Sequence, residues 1–301
     1  MNQEIVTIML LIGVGYLFKK LNILKESDGE VISRIIFNIT LPALVIISLN
    51  SVQIEPSLML LPFIVVSYGL ISVLFAYFVF KNEDKELKGT LMMLSPGYNV
   101  GLFAFPLVEA FWGAEGLLYF GMFDAGNSIL IFGVSYILGS YYSKDGLSLN
   151  PIGIVKKFSK SIPFMSYIIM TILNLVNIKL PTEFIDLATI ISKANMPLSL
   201  ILLGLYMNFT FEKQYVRPIF KYLLYRYGLG LLFGLAFYFL LPVSHMFRIT
   251  ILIGFLLPIG LAVIPYSHEF NYSTTRLIGT IANICIFISI IILFILANFV
   301  L

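Results

Sequence analysis

Two short segments, one in each half of the chain, share a pattern that can bind an anion. Residues 101–106 and 260–265 both read Gly-Leu-x-x-x-Pro inside long apolar stretches. Proline has no backbone N–H and clashes with the carbonyl four residues earlier, so each helix is expected to break and restart at Pro106 and Pro265. The N–H groups after each proline then lack helical acceptors and can bind an anion. Two unrelated kinks are the alternative, but the matched positions in the two halves favour a substrate site.

Neutral amide side chains extend this candidate site. Asn99 lies seven residues before Pro106, while Asn127 and Asn283 lie in other apolar stretches. An amide can donate to a carboxylate and binds it less strongly than an Arg fork, which suits a ligand that must be released. Hydrogen bonding between helices is the alternative role for Asn127 and Asn283. The predicted substrate-binding residues are Asn99, Gly101, Pro106, Leu107, Asn127, Gly260, Pro265, Tyr266 and Asn283.

Asp124 is the charged side chain that points most directly to ion coupling. It lies inside an apolar stretch, where a carboxylate is expensive and is by default a functional candidate. A buried carboxylate can carry a proton. The alternatives are a position near the membrane edge or a role in a structural polar cluster. Arg226 is a candidate partner for Asp124, although the sequence does not show that the two residues meet.

The composition indicates that these residues lie in a membrane protein. The chain is 59% hydrophobic and 12% charged, with a mean hydropathy of +0.97, whereas a soluble domain carries about 25% charged residues. It is therefore expected to be a polytopic membrane protein embedded in a lipid bilayer. The net charge of +3 belongs to loops and does not indicate a nucleic-acid surface. The single cysteine, Cys285, excludes an intramolecular disulfide.

Apolar stretches of about 20 residues divide the chain into ten predicted transmembrane helices. They lie near residues 4–18, 31–50, 57–80, 88–112, 116–142, 161–178, 184–209, 217–241, 247–267 and 274–300. A polar stretch at 143–160 separates five spans from five, and an odd number per half gives an inverted-topology repeat. The predicted organisation is a first repeat at 1–142, a central cytoplasmic loop at 143–160 and a second repeat at 161–301.

The distribution of Lys and Arg supports this count and orients the chain. One set of predicted loops carries 15 of the 19 basic residues, and the other set carries two. The positive-inside rule then places both termini outside the cytoplasm. A second pair of prolines, Pro42 and Pro197, lies near the middle of spans two and seven. As a symmetric pair they are expected to break those helices and line the same cavity.

Three segments resemble the auxin efflux carrier family. Residues 99–113, with Asn99 and Pro106-Leu107, resemble the family's fourth span, although Ala104 replaces a usual glycine. Residues 197–207 are similar to its seventh span, and residues 264–270 to the turn after its ninth. Arg226 lies where the family often has an Arg, but a proline common soon after it is absent. The short central loop resembles the prokaryotic branch.

This resemblance implies a ten-helix secondary transporter in which broken helices four and nine cross at mid-membrane. The expected cargo is a small organic anion such as a mono- or dicarboxylate, moved by alternating access, with a proton or sodium as the coupling ion. The alternatives are a sodium-coupled bile-acid-type symporter and a membrane sensor or scaffold that transports nothing. The expected location is the prokaryotic plasma membrane, and a homodimer is left open.

Enzymatic functions find no support in the sequence. It contains no His-Glu-x-x-His, Gly-x-Ser-x-Gly or Gly-Lys-Ser/Thr motif, so zinc proteolysis, serine hydrolysis and ATP-driven pumping by this chain alone are not expected. We therefore expect neither catalysis nor a cofactor or metal, and no nucleic-acid partner.

Overall fold

A computed structural model describes residues 2–51, 56–144, 159, 161–207, 212–261 and 263–299. Within these ranges the chain is helical, and its only extended pairing is one isolated antiparallel bridge. The all-α prediction is therefore confirmed for the described residues. Most of the predicted central loop at 143–160 lies outside them.

The described helices follow one another with short connections. They are α1 (Asn2–Lys20), α2 (Asp28–Ile35), α3 (Leu41–Ser51), α4 (Leu60–Val79), α5 (Lys85–Leu94), α6 (Phe105–Ile129), α7 (Tyr136–Tyr142), α8 (Ile162–Leu175), α9 (Thr182–Ser192), α10 (Asn195–Tyr206), α11 (Val216–Leu240), α12 (His245–Gly254), α13 (Val263–Glu269) and α14 (Thr275–Phe299). Three π-helical segments lie at Ile36–Thr40, Val100–Ala104 and Leu130–Ser135, and 3₁₀ turns at Pro56–Met59 and Lys213–Tyr215.

Within the described residues, six helical stretches are long and apolar enough to cross a membrane. They are Asp28–Asn50, Ser57–Val79, Val100–Tyr142, Thr182–Tyr206, Lys213–Leu240 and Thr275–Leu296. The helices α8 and α12 are apolar but shorter. These stretches confirm a membrane-spanning protein, while the count of ten and the inverted repeat remain predictions.

Two ten-residue helices, α5 and α12, share the same local design. Asp84 precedes α5, and its Oδ1 accepts hydrogen bonds from the N–H groups of Glu86 (3.1 Å) and Leu87 (3.0 Å). Ser244 precedes α12, and its Oγ accepts from Phe247 N–H at 3.3 Å. These N-caps satisfy donors that have no helical acceptor and fix where each helix begins. Both helices end after ten residues in irregular backbone.

The chain forms two compact units, each drawing segments from both halves of the sequence. The first comprises Met1–Met59, Val100–Met122 and Phe158–Met207, and the second comprises Leu60–Asn99, Phe123–Lys157 and Asn208–Leu301. The predicted repeats at 1–142 and 161–301 are instead consecutive in the sequence, and that division stays a prediction.

In the first unit, α1 and α10 approach each other closely enough for backbone contact. A Cβ atom placed on Gly15 would lie 2.0 Å from the carbonyl oxygen of Ile201. A Cβ atom on Gly204 would lie 2.0 Å from the carbonyl oxygen of Ile12. Only glycine leaves room for either approach. Small residues of this kind allow close helix packing in membranes, where apolar side chains alone give little driving force.

The prolines Pro42 and Pro197 also lie in the first unit, each just after an irregular turn. The π-helical segment Ile36–Thr40 ends two residues before Pro42, and the break between α9 and α10 ends three residues before Pro197. Beside these turns, Thr40 Oγ1 donates to Asn195 Oδ1 at 3.0 Å. Asp28–Asn50 and Thr182–Tyr206 nevertheless each form one long helical stretch, so the irregular turns lie before both prolines and a break of either helix stays a prediction.

The second unit has an aromatic core around the end of α12. Phe255 is fully buried and stacks on Tyr68, with ring centroids 3.7 Å apart. Tyr98 and Phe123 pack edge to face at 5.7 Å beside it. Such pairs add to the stabilisation from apolar burial. These aromatic side chains pack around the irregular segments that follow α5 and α12 and restrict their movement.

Candidate functional site

The central feature of the second unit is a pair of unwound segments that meet within apolar sequence. Residues 95–99 follow α5, and residues 255–261 follow α12. Tyr98 and Ile259 form the antiparallel bridge, and Asn99 N–H donates to the Pro258 carbonyl at 2.9 Å. Each segment contains a proline, Pro96 or Pro258, which cannot supply the N–H that would continue the helix. We call these two paired segments the crossover.

Asn127 holds one edge of the crossover through both backbone groups of Tyr98. Its Oδ1 accepts from Tyr98 N–H at 2.8 Å, and its Nδ2 donates to the Tyr98 carbonyl at 3.0 Å. In this type of antiparallel pair, the residues that flank the bridge exchange hydrogen bonds. The N–H and C=O of Tyr98 therefore point away from Ile259, and the Asn127 amide pairs with both of them as a neighbouring strand would.

Asp124 lies one helical turn before Asn127 on α6 and is attached to the same network. Its Oδ1 accepts a hydrogen bond from Asn127 Nδ2 at 2.9 Å. The side chain of Asp124 is half-buried, so it has both a fixed hydrogen bond to Asn127 and partial exposure on the protein surface. It does not pair with Arg226, whose hydrogen bonds all go elsewhere.

Arg226 on α11 contacts the last carbonyl of α5 and three carbonyls of the crossover. Its Nη2 donates to the carbonyls of Gly97 (3.1 Å), Leu257 (3.0 Å) and Pro258 (3.2 Å), while Nη1 reaches the Leu94 carbonyl at 3.5 Å. The side chain is 3% exposed. The Leu94 carbonyl is the last of α5, where helical donors are lacking. The other three carbonyls lie in the unwound segments, so one guanidinium binds backbone from both segments of the crossover.

Tyrosines surround this guanidinium on its other sides. Tyr222 Oη accepts from Arg226 Nη1 at 3.3 Å and donates to the Leu94 carbonyl at 2.9 Å. The Tyr98 ring lies 4.6 Å from the Arg226 guanidinium carbon, which is within range of a cation–π interaction. Tyr225 donates to the Ser72 carbonyl at 2.7 Å. The charge of Arg226 is therefore stabilised by dipoles and ring faces.

The structure divides the predicted substrate residues between the two units. Asn99 and Gly260 belong to the crossover, where a Cβ on Gly260 would lie 3.2 Å from the Tyr98 carbonyl oxygen, and Asn127 contacts the crossover from α6. Tyr266 is buried on α13 and packs against Tyr136, with ring centroids 5.3 Å apart. Other members are placed as follows: Pro265 lies on α13, Asn283 is buried on α14, and Gly101, Pro106 and Leu107 belong to the first unit.

The predicted position of the helix breaks needs correction. The irregular backbone lies at 95–99 and 255–261, upstream of Pro106 and Pro265. The first helix resumes as π-helix at Val100, so Pro106 lies six residues inside a continuous helical stretch. The second resumes at Val263, which makes Pro265 its third residue. The helices end at Leu94 and Gly254, and the earlier prolines, Pro96 and Pro258, lie in the irregular backbone that follows, where they cannot supply the N–H needed to resume a helix.

Two functional features were missed by the sequence analysis. Pro96-Gly97 is a turn dipeptide inside an apolar stretch, and Pro258 repeats the proline in the second half, so both carried a readable signal. The contacts of Arg226 with backbone carbonyls left no signal in the sequence, because every residue has a carbonyl. Among the described residues, no group of three His, Cys, Asp or Glu side chains could hold a metal ion.

The fold and the crossover define a class: a polytopic helical membrane protein with two interrupted helices paired at their breaks. Residues 1–300 match the family described as membrane transport protein. The chain therefore belongs to that family, the auxin efflux carrier family, and the resemblance drawn from its motifs is confirmed.

Two archaeal proteins illustrate what this chain is similar to. An uncharacterized transporter of Methanothermobacter thermautotrophicus is 26% identical over 220 residues, which cover 71% of this chain and 70% of that protein. An uncharacterized transporter of Methanocaldococcus jannaschii is 26% identical over 211 residues, which cover 67% of each.

Proposed function

We propose that the protein is a secondary transporter that moves a small organic anion, such as a mono- or dicarboxylate, by alternating access around the crossover. The observation that carries this proposal is the environment of Arg226. It is a buried cation at the point where two interrupted helices meet, and its partners are carbonyls and a tyrosine hydroxyl. Among the described residues it forms no ion pair with a carboxylate.

A buried charge without a counter-ion gives the crossover a positive field. Such a charge is expensive inside a membrane and is usually retained for function. Low-dielectric surroundings screen it weakly, so it attracts an anion approaching the crossover. Because the guanidinium is already bound to carbonyls, the anion does not form a tight fork with it. A weakly held anion can be released on the other side.

Ion coupling is proposed to involve Asp124. The Asp124 carboxylate accepts from Asn127, which also donates to the Tyr98 carbonyl. A change in the protonation of Asp124 can therefore alter the hydrogen bonds that hold the crossover. Protonation of Asp124 would cancel its negative charge near the path of an anionic substrate. Proton coupling is therefore favoured over the sodium-coupled alternative.

We also propose the ten-helix arrangement, with two inverted repeats and both termini on the extracytoplasmic side of the plasma membrane. The helical stretch Val100–Tyr142 has 43 residues, about twice what one crossing needs. It is interrupted at Gly113, whose φ of 54° and ψ of −138° lie outside the helical region. Two crossings that turn near Gly113 agree with the predicted boundary between spans four and five.

Uptake into proteoliposomes tests the transport proposal. Purified protein should give saturable uptake of at least one radiolabelled mono- or dicarboxylate, with a rate that responds to a pH gradient. Binding without uptake would favour the sensor alternative, and a requirement for sodium would favour the symporter. Vesicles without protein provide the background, and no binding or uptake across a broad carboxylate panel would contradict the proposal.

Asn99 provides a test of where the substrate binds. If its buried amide contributes one uncharged hydrogen bond, Asn99→Ala should weaken binding by about 0.5–1.5 kcal/mol, or up to roughly tenfold. Asn174→Ala is the matched control, because Asn174 donates to the Leu49 carbonyl at 2.7 Å within the first unit. The control should lower thermal stability and leave affinity unchanged. Equal affinities for the Asn99 variant and the wild type would argue against a substrate site at the crossover.

A further inference from the structure

The four carbonyl oxygens around Arg226 form a ligand set of the type that binds metal cations. They come from Leu94 at the end of α5, from Gly97 after it, and from Leu257 and Pro258 after α12, with oxygen–nitrogen distances of 3.0–3.5 Å. Rings of backbone carbonyls replace the hydration shell of alkali cations in channels, and unwound carbonyls in broken helices coordinate coupling ions in transporters. At this crossover the chain's own side chain occupies that position.

We propose that the crossover is a cation site permanently filled by Arg226, so that the protein needs no sodium or other metal cation there. The guanidinium supplies a positive charge to four converging carbonyl oxygens, and it stays charged at any physiological pH. Because it is covalently attached, it cannot enter or leave during a cycle. The claim about coupling rests on the proposed transport function, whereas the claim about the site does not.

Three features of the site support this assignment over an ordinary buried arginine. The carbonyls belong to segments that are 31 to 132 residues from Arg226 in sequence, so no local turn explains the contacts. The two segments that supply the carbonyls pair with each other through the bridge between Tyr98 and Ile259. The described residues offer no carboxylate to the guanidinium, so its main electrostatic partners are the four backbone carbonyls.

A permanent cation has a consequence for the energetics of transport. In a sodium-coupled carrier, the positive charge at the broken helices arrives and departs with the ion. Here that charge is constant, so the net charge moved in one cycle is set by the anion and by any proton on Asp124. Replacement of sodium by choline should therefore leave both the melting temperature and the uptake rate of the wild type unchanged.

The test removes the guanidinium by substitution and then adds small cations to the buffer. Arg226→Ala and the control Arg248→Ala are purified in choline chloride, and melting temperatures are measured with millimolar guanidinium, Na⁺ or K⁺ added. Arg248 is suitable because, among the described residues, its side chain donates to one carbonyl, that of Tyr238 at 3.4 Å, and it lies on α12 of the same unit. Arg226→Ala should lose more stability than the control. At least one cation should then raise its melting temperature by several degrees and leave the control and the wild type unmoved.

Two outcomes overturn the proposal, and both are measured on stability and so do not depend on transport. One is a folded Arg226→Ala protein that no small cation stabilises selectively. The other is a saturable, sodium-specific rise in the melting temperature of the wild type. If Arg226→Ala does not fold, Arg226→Lys and Arg226→Met replace it. A stable Lys variant with an unstable Met variant supports the need for a cation, and equal stability of the two refutes it.

Discussion

Removal of the Asn127 amide gives the most direct test of how the crossover is held. Asn127 is 1% exposed and Tyr98 is 2% exposed, so water cannot replace the lost partner easily. In Asn127→Ala, the Tyr98 N–H and C=O both lose their hydrogen bonds. An unsatisfied buried group costs about 1–3 kcal/mol, so two groups give a loss of about 2–6 kcal/mol in the free energy of unfolding.

A second substitution separates lost hydrogen bonds from lost volume. Asn127→Leu keeps about the same side-chain volume but offers neither donor nor acceptor to Tyr98. If the cost arises from unsatisfied backbone groups, the Leu variant should be as unstable as the Ala variant. If it arises from a cavity, the Leu variant should recover most of the stability.

The assay is the free energy of unfolding in mixed micelles, measured on the wild type and on each variant. Ser128→Ala is the control, because Ser128 is adjacent and also buried. The control should lose less stability than Asn127→Ala, because it leaves both hydrogen bonds between Asn127 and the Tyr98 backbone in place. A loss for Asn127→Ala no larger than that of the control would refute the structural role assigned to Asn127.

Three further predictions follow from other parts of the chain. Asp124→Asn should fold normally and weaken the response of uptake to a pH gradient, and an unchanged response would remove Asp124 as the proton carrier. Gly15→Ala should lower the melting temperature strongly, since its Cβ would meet a backbone oxygen at 2.0 Å, whereas Gly13→Ala, with nothing within 4 Å, should not. In a cysteine-free background, a cysteine at Asn2 should react with an impermeant reagent from outside and one at Ser148 should not; the reverse pattern would contradict the proposed orientation.

Composition and apolar length were sufficient to predict a helical membrane protein, and the motifs around Asn99 and Pro106 were sufficient to predict the family. These properties depend on local sequence and on the lipid environment, which forces the backbone to satisfy itself in helices. The repeat of Gly-Leu-x-x-x-Pro also indicated which parts of the chain are interrupted. It placed the breaks too late because it relied on Pro106 and Pro265, which follow each break, and not on Pro96 and Pro258, which lie within the irregular segments.

The contacts at the crossover were beyond the reach of the sequence for a physical reason. Arg226 binds backbone carbonyls, and carbonyls carry no sequence signal. Asn127 was chosen as a substrate ligand because amides suit carboxylates, yet the same chemistry suits the backbone of Tyr98, and both amide roles look alike in sequence. Whether Asn127 also contacts the substrate stays a prediction.

The contact between α1 and α10 has a consequence for how the protein is made. Gly204 is synthesised about 190 residues after Gly15, so at 5–20 residues per second the ribosome needs about 10–40 s to deliver it. During that time the first helix has already left the ribosome, while the surface it must pair with does not yet exist. Its glycine face has to wait in lipid or against the insertion machinery. The first unit therefore closes late, and a nascent chain arrested before Gly204 leaves α1 without its partner, as a substrate for membrane quality control.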